Sequence, residues 1–223
     1  PIWPLILCSV VGLALVIAIA TRPILGHLPE PLDDPDIADK RPYASLGSPG
    51  FLAAVFVIAV VASGLVAWIV PPTGWLAWAA LIVPGALAIA IDGATTWLPR
   101  VLTTAMALIA GVGIALWAIL DADASIALRG LLGALAVGGF FYLFWRFTGG
   151  IGFGDVRLMA VVGAVAAARS AQTASWGVLI GTLLGAIWGV TTRLVRGPGP
   201  FPYGPALWSG PFVALAISAL TQA

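Results

Sequence analysis

Residues 51–91 read FLAAVFVIAVVASGLVAWIVPPTGWLAWAALIVPGALAIAI, a stretch of 41 consecutive positions without a charged side chain. A run of about 20 such residues is long enough to cross the hydrocarbon core of a bilayer as an α-helix. The Pro71-Pro72-Thr73-Gly74 interruption has the composition of a tight turn. The stretch therefore predicts two membrane-spanning helices joined by a short loop.

The rest of the chain repeats this pattern of long apolar runs separated by short polar breaks. Of its 223 residues, 61% are hydrophobic and 9% are charged, a balance that excludes a soluble domain. One run is short for a span, because its 13 residues make only about 20 Å of helix. We predict an all-α fold, a polytopic integral membrane bundle of about eight transmembrane helices in a single domain over residues 1–223. The further runs cover residues 2–21, 101–120, 126–147, 156–168 (the short one), 170–192 and 205–221.

Residues 22–49 connect the first two runs, and residues 29–48 among them are the one strongly polar segment, rich in proline and holding five of the nine acidic residues. We predict a solvated loop with little structure of its own. If every apolar run crosses the membrane, Arg129 and Arg169 fall on the side opposite this loop. The other eight cations fall on its own side, which predicts a cytoplasmic loop by the positive-inside rule. These eight are Arg22, Lys40, Arg41, Arg100, Arg146, Arg157, Arg193 and Arg196.

Two carboxylates border the apolar runs on one side of the membrane. Asp92 follows the third run, and Asp155 follows the glycine-dense turn over residues 149–154 and precedes the sixth run. Two crossings separate the two residues, so both return to the cytoplasmic boundary. Ionisable groups at the edge of an apolar bundle are costly and indicate function. Two such carboxylates can share one proton, so that one activates a water molecule while the other protonates a leaving nitrogen.

Two alternative roles for the acidic pair stay open from the residues alone. Asp155 stands at a helix start, so the carboxylates could serve as helix caps. An ion-coupled membrane transporter would also use such residues, although carriers keep theirs near the bilayer midplane on broken helices. Cys8 and His27 are the one cysteine and the one histidine, so the sequence predicts neither a multi-cysteine metal site nor a cofactor.

The glycine turn and the two aspartates belong to a recognisable pattern. Residues 152–160, GFGDVRLMA, resemble the Gly-x-Gly-Asp-(Val/Phe)-Lys-Leu signature of the type IV prepilin peptidases, which are membrane aspartic proteases. Asp92, followed by Leu98 and Pro99, resembles the first catalytic motif of that family. Residues 202–207, PYGPAL, resemble its late Pro-Phe-Gly-Pro segment.

The resemblance implies an activity, a substrate and a set of site residues. Asp92 and Asp155 would be the catalytic dyad of an aspartic endopeptidase. The substrate would be a prepilin or pilin-like precursor, cleaved after its short leader at the cytoplasmic face of the bacterial plasma membrane. Beyond this substrate and the lipid bilayer, no nucleic-acid partner and no cofactor are implied. The residues that would bind substrate or shape the site are Gly152, Gly154, Arg157, Leu98, Pro99, Pro202, Gly204 and Pro205.

The chain departs from the family pattern in its first loop and at two basic positions. Two-domain members carry a cysteine-rich insert between the first two spans, associated with zinc binding and N-methylation of the new pilin terminus. Residues 22–49 contain no cysteine, so the resemblance implies no zinc site and gives no support to N-methyltransferase activity. This compact form resembles the members that serve Flp/Tad-type pili. Arg157 replaces the usual Lys, and Arg100 stands where Asp or Asn is frequent.

Overall fold

A computed structural model describes residues 3–30, 41–197 and 199–222 of the chain. Within these ranges the chain forms eight long α-helices and no β-strand, with short 3-10 turns at Tyr43–Leu46 and Pro72–Gly74. Residues 31–40, in the middle of the predicted polar loop, lie outside the described residues. The helices are α1 (Trp3–His27), α2 (Pro49–Ile69), α3 (Trp75–Thr95), α4 (Arg100–Leu120), α5 (Ala124–Thr148), α6 (Phe153–Arg169), α7 (Ala171–Arg196) and α8 (Gly204–Gln222).

The polytopic helical bundle predicted from the apolar runs is confirmed. Among the described residues, seven of the eight helices are long and apolar enough to cross a membrane. The exception is α6, which has 17 residues and corresponds to the run that was already short in the sequence. A membrane span must satisfy its backbone hydrogen bonds internally, and for that reason each apolar run becomes a helix.

The loop predicted over residues 22–49 begins later in the structure, because α1 continues to His27. Two contacts account for this extension. The side chain of Leu25 is buried, so the last turn of α1 packs into the bundle. Arg22, also in this turn, donates from Nε to the carbonyl oxygen of Gly47 at 3.1 Å. The polar end of α1 is therefore fixed against the segment that leads into α2.

The third helix also extends beyond its apolar run and includes Asp92 in its last turns. The Thr95 hydroxyl donates to the carbonyl oxygen of Ile91 at 2.8 Å, so this polar residue is satisfied within the helix. Thr96 then adopts a left-handed conformation with φ 60° and donates its N–H to the Asp92 carbonyl oxygen. A left-handed residue of this kind is a common way to end a helix.

Successive helices pack against one another, and the arrangement has a buried centre and an apolar outer layer. The centre consists of α3 and α6, with α8 packed against α2, α3, α6 and α7. The outer helices expose many large apolar side chains, including Leu5, Ile19, Leu183 and Leu194. So much exposed apolar surface is stable only against lipid, in agreement with a membrane bundle.

Several helix pairs approach each other closely at glycine residues. Gly113 of α4 lies against the backbone of α3, and Gly133 and Gly163 face each other between α5 and α6. On α7, Gly177 and Gly181 lie against the backbone of α8. Small residues at such contacts allow close backbone approach, which is the usual basis of helix association in lipid.

The indole of Trp208 fastens α8 to α3 near a proline. Pro84 lies inside α3, where the missing N–H disturbs the helical hydrogen-bond ladder. One turn earlier, the carbonyl oxygen of Leu81 accepts a hydrogen bond from Trp208 Nε1 at 2.8 Å. A Cβ on Gly85 would lie 3.0 Å from this nitrogen, so the glycine leaves space for the indole. The contact fixes α8 along the helix that carries Asp92.

We expect Gly113→Ala to lower the free energy of unfolding by about 1–3 kcal/mol, because overpacking in a tight contact strains the neighbouring backbone. The added methyl group would overlap the backbone of Ala77 in α3. The matched control is Gly111→Ala on the same helix, where nothing lies within 4 Å of the new methyl group.

Because alanine favours a helix over glycine by about 1 kcal/mol, the control should be neutral or slightly stabilising. Denaturant unfolding of the purified protein in detergent measures both variants. An equal loss of stability in the two would contradict the close approach of α3 and α4.

Candidate functional site

Asp92 is buried in the last turns of α3, where its carboxylate meets the first residue of α8. Its side chain is 4% exposed. Asp92 Oδ2 accepts a hydrogen bond from the backbone N–H of Gly204 at 3.0 Å. The N-terminus of a helix carries a partial positive charge, so the start of α8 favours a negative charge on Asp92.

Asp155 occupies the first turn of α6 and caps that helix. Its side chain is 8% exposed. Asp155 Oδ2 accepts the backbone N–H of Gly152 at 3.1 Å, and the Asp155 N–H donates to the Gly152 carbonyl oxygen at 3.1 Å. The capping role that the sequence left open is therefore present. A capping carboxylate is normally exposed to solvent, whereas this one is almost fully enclosed. Its burial costs desolvation free energy that capping alone does not require.

The dipeptide Tyr203-Gly204 connects the surroundings of the two carboxylates. Gly204 donates to Asp92, while the adjacent Tyr203 lies close enough to Asp155 for the carboxylate charge to act on its phenol. The pKa of Tyr203 is raised from its ordinary value by burial and, to a smaller extent, by the negative charge of Asp155. The two predicted dyad residues thus lie at the same end of the bundle, near one short segment.

Leu98 fills the space between the glycines that accompany the two aspartates. A Cβ on Gly154, next to Asp155, would lie 2.9 Å from the Cβ of Leu98. A Cβ on Gly204 would lie 3.4 Å from Leu98 Cδ1 and 2.7 Å from Asp92 Oδ2. An alanine at either position would therefore displace a neighbour, Leu98 at Gly154 or the Asp92 carboxylate at Gly204, and Leu98 forms an apolar wall between the two glycines.

The three prolines of the predicted site take different positions. Pro99 is buried and precedes α4, where its carbonyl oxygen accepts the N–H of Thr103 at 3.1 Å. Pro205 lies beside Gly93, since a Cβ on that glycine would be 3.9 Å from Pro205 Cγ. Pro202 is half-buried in the segment between α7 and α8, one residue before Tyr203. Pro99 and Pro205 accompany the Asp92 side of the site.

Arg157 forms no ion pair with either carboxylate among the described residues. Its guanidinium carbon lies 5.7 Å from the ring centroid of Phe153, and its side chain lines a groove between α4, α5 and α6. The charged residue whose field acts on the Arg157 guanidinium is Arg100. The structure thus separates Arg157 from the other predicted site residues.

Tyr203 belongs to the site although the sequence did not single it out. Its ring is seated directly on Gly185 of α7, where a Cβ would overlap the ring, and its hydroxyl donates to the Thr182 carbonyl oxygen at 3.4 Å. Two signals were present in the sequence, the position of Tyr203 inside the PYGPAL segment and the glycines repeated every four residues on α7. The link between them depends on how α7 and α8 pack.

The arrangement provides two enclosed carboxylates, each accepting a backbone N–H at a helix start. Such a pair can exchange protons with a water molecule and with a substrate amide. Among the residues described, no group of three or more His, Cys, Asp or Glu side chains could hold a metal ion. The chemistry that these residues themselves can supply is proton transfer.

Comparison with known proteins relates this region to a peptidase family. The profile described as the type IV leader peptidase family matches residues 79–190, half of the chain, including Asp92 and Asp155. The chain is also similar to the "Prepilin leader peptidase/N-methyltransferase" of Bacillus subtilis (strain 168), with 40% identity over 87 residues. The aligned part is 38% of this chain and 35% of that protein, about a third of the relative's length. No solved structure gives a significant match.

We expect the pKa of Tyr203 to lie above the ordinary value of about 10, because burial and the Asp155 charge both disfavour the phenolate. Asp155→Asn removes the charge but not the burial, so it should lower the pKa without restoring the ordinary value. The measurement is the ultraviolet absorption of phenolate against pH, with Tyr203→Phe subtracted.

Asp121→Asn is the matched control, since Asp121 accepts a bond from Trp117 Nε1 at the other end of α4. This variant should leave the titration of Tyr203 unchanged. A pKa of Tyr203 that responds equally to both substitutions would contradict the proximity of Tyr203 and Asp155.

Proposed function

The chain belongs to the type IV leader peptidase family, and we propose that it is a membrane aspartic endopeptidase that removes the leader of prepilin-like precursors. The observation that carries the proposal is the placement of Tyr203-Gly204 near both carboxylates: Gly204 donates a hydrogen bond to Asp92, and Tyr203 lies within reach of the Asp155 charge. Two buried acids that lie near one short segment are better suited to joint catalysis than to independent capping.

In the proposed reaction, Asp92 and Asp155 share one proton between them. The ionised carboxylate takes a proton from a water molecule, and the oxygen of that water attacks the carbonyl carbon of the scissile amide. The protonated carboxylic acid gives its proton to the leaving nitrogen as the carbon–nitrogen bond breaks. The dyad then again holds one proton, so it is ready for the next cycle.

The backbone donors at the site keep the two carboxylates oriented for these transfers. The N–H of Gly204 restrains Asp92 and that of Gly152 restrains Asp155, each through Oδ2. A catalytic group held by its surroundings loses less entropy when the reaction begins. Leu98, between the two glycines, would exclude bulk water from one side of the bond that is cut.

We infer a cytoplasmic active site in the bacterial plasma membrane from the positions of the cations. Arg100 and Arg157 lie at the end of the bundle that carries the dyad. At the opposite end, Arg129 donates to the Ala168 carbonyl oxygen and Arg169 to that of Ile69. Together with the eight-to-two distribution along the sequence, this placement supports a cytoplasmic dyad. Because the compact form resembles the members that serve Flp/Tad-type pili, we propose precursors of such pili as the substrates.

The first test is cleavage of a candidate pilin precursor co-expressed in the same membrane, followed by mass spectrometry. Asp92→Asn and Asp155→Asn should each lower the cleavage rate by at least about 100-fold, since a positioned acid or base contributes that much or more. Asp121→Asn, at the other end of the bundle, should cleave as the wild type does.

The same spectra separate two further outcomes. A new terminus heavier by one methyl group would add N-methylation, the second activity in the name of the Bacillus subtilis relative, to the proposed function. If an Asn variant made in normal amounts cleaves at the wild-type rate, the substituted aspartate is a cap, and the dyad is excluded.

Gly204→Ala tests the restraint on Asp92 without changing a charged group. The new methyl group would lie 2.7 Å from Asp92 Oδ2, so the carboxylate must move from its N–H donor. We expect the cleavage rate to fall about 10-fold, the equivalent of about 1.4 kcal/mol in the barrier. Gly199→Ala, in the connection between α7 and α8 and with nothing within 4 Å of the new methyl group, is the matched control. Equal rates for the two variants would show that the Gly204 contact does not matter for catalysis.

A further inference from the structure

A groove of about 540 Å³ lies between α4, α5 and α6, beside the dyad but not part of it. Its lining is apolar and made largely of small side chains, so the walls leave room for a slender hydrocarbon group. The polar residues of the lining are Thr103, Thr104 and Arg157, all toward the end of the bundle that carries the dyad. Representative small residues on the three helices are Ala107, Gly111, Ala127, Ala134, Ala160 and Ala164.

Two cations without an acidic partner among the described residues, Arg100 and Arg157, lie toward the polar end of this groove. The Nε atom of Arg157 is buried and has no hydrogen-bond partner. Arg100 lies close enough for its charge to act on Arg157. In the part of the chain that the structure describes, neither arginine forms an ion pair with an acidic residue. Two adjacent positive charges at the edge of an apolar groove favour an anion.

The length of the groove identifies the size of its occupant. Along α4 the lining extends from Thr103 to Ala115, about 18 Å at 1.5 Å per residue. One leaflet contributes about half of a hydrocarbon core of about 30 Å, which is about 15 Å. A second transmembrane helix would need the whole thickness, whereas an acyl chain needs one leaflet. The groove therefore suits a lipid chain better than a protein helix.

We propose that this groove binds one anionic phospholipid, with its phosphate on Arg100 and Arg157 and an acyl chain along α4, α5 and α6. The apolar walls take the hydrocarbon, and the phosphate satisfies the buried Nε of Arg157. The bound lipid would lie on the Arg157 side of α6, two residues from Asp155. This inference does not depend on peptidase activity, because its observations concern the groove and not the dyad.

The experiment measures lipid binding to the full chain, purified and delipidated in detergent, by native mass spectrometry. Phosphatidylglycerol and phosphatidylcholine with identical acyl chains are the two probes. We expect the wild type to retain one phosphatidylglycerol with an affinity roughly 10- to 30-fold above that for phosphatidylcholine, since each basic residue near an anionic headgroup strengthens binding about five-fold.

Two variants remove the two halves of the proposed site. The double variant Arg100→Gln/Arg157→Gln should bind both lipids equally. Its control is Arg146→Gln, an exposed arginine of α5 outside the groove lining, which should keep the preference. Gly111→Leu projects a side chain into the groove from a position where nothing lies within 4 Å of the Cβ, so it should abolish retention of either lipid. Gly139→Leu, equally free of neighbours but outside the lining, should bind as the wild type does.

Three results would overturn the proposal. The first is equal affinity of the wild type for the two lipids, and the second is an unchanged preference in the double arginine variant. The third is a dimer that retains no lipid and is dissociated by Gly111→Leu, which would assign the groove to a second copy of the chain. If the arginine variant does not fold, the wild-type preference for phosphatidylglycerol and the comparison of Gly111→Leu with Gly139→Leu together decide between the outcomes.

Discussion

The hydrogen bond from the backbone N–H of Gly204 to Asp92 Oδ2 is the constraint on which the arrangement of the site depends. It joins residues 112 positions apart, at the end of one helix and the beginning of another. A buried carboxylate without a donor would be costly, so burial of Asp92 and the position of α8 stabilise each other. Tyr203 precedes Gly204 directly, so this bond also restrains the backbone beside the residue whose phenol the Asp155 charge reaches.

The rest of α8 is positioned by contacts that make this bond possible. The indole of Trp208 donates to the Leu81 carbonyl oxygen. The glycines of α7 leave room for the α8 backbone and the ring of Tyr203 to pack closely. Side-chain hydrogen bonds and close packing at small residues are the forces that remain when lipid removes the hydrophobic effect between helices. The site is thus assembled from α3, α6 and α8, none of which contains both carboxylates.

Much of this architecture could be predicted from the sequence, because a membrane span must satisfy its backbone hydrogen bonds internally. It is therefore a helix that can be recognised by its length and apolar composition. Counting crossings also placed Asp92 and Asp155 at one end. The helix ends could not be predicted, because local side-chain bonds such as that of Thr95 extend a helix past its apolar run. The place of Tyr203 could not be predicted either, since it depends on the fit of its ring to Gly185, a contact between elements with no local pattern.

The short helix α6 does not match the thickness of the surrounding bilayer. Its 17 residues make about 25 Å of helix, about 5 Å less than a typical hydrocarbon core. Such a hydrophobic mismatch is relieved when the lipid thins locally or polar groups reach the interface. Asp155 stands in the first turn of this helix, so thinning there would draw the aqueous boundary toward the carboxylate. The proposed hydrolysis consumes a water molecule, and local thinning would bring bulk water close to the carboxylate that uses it.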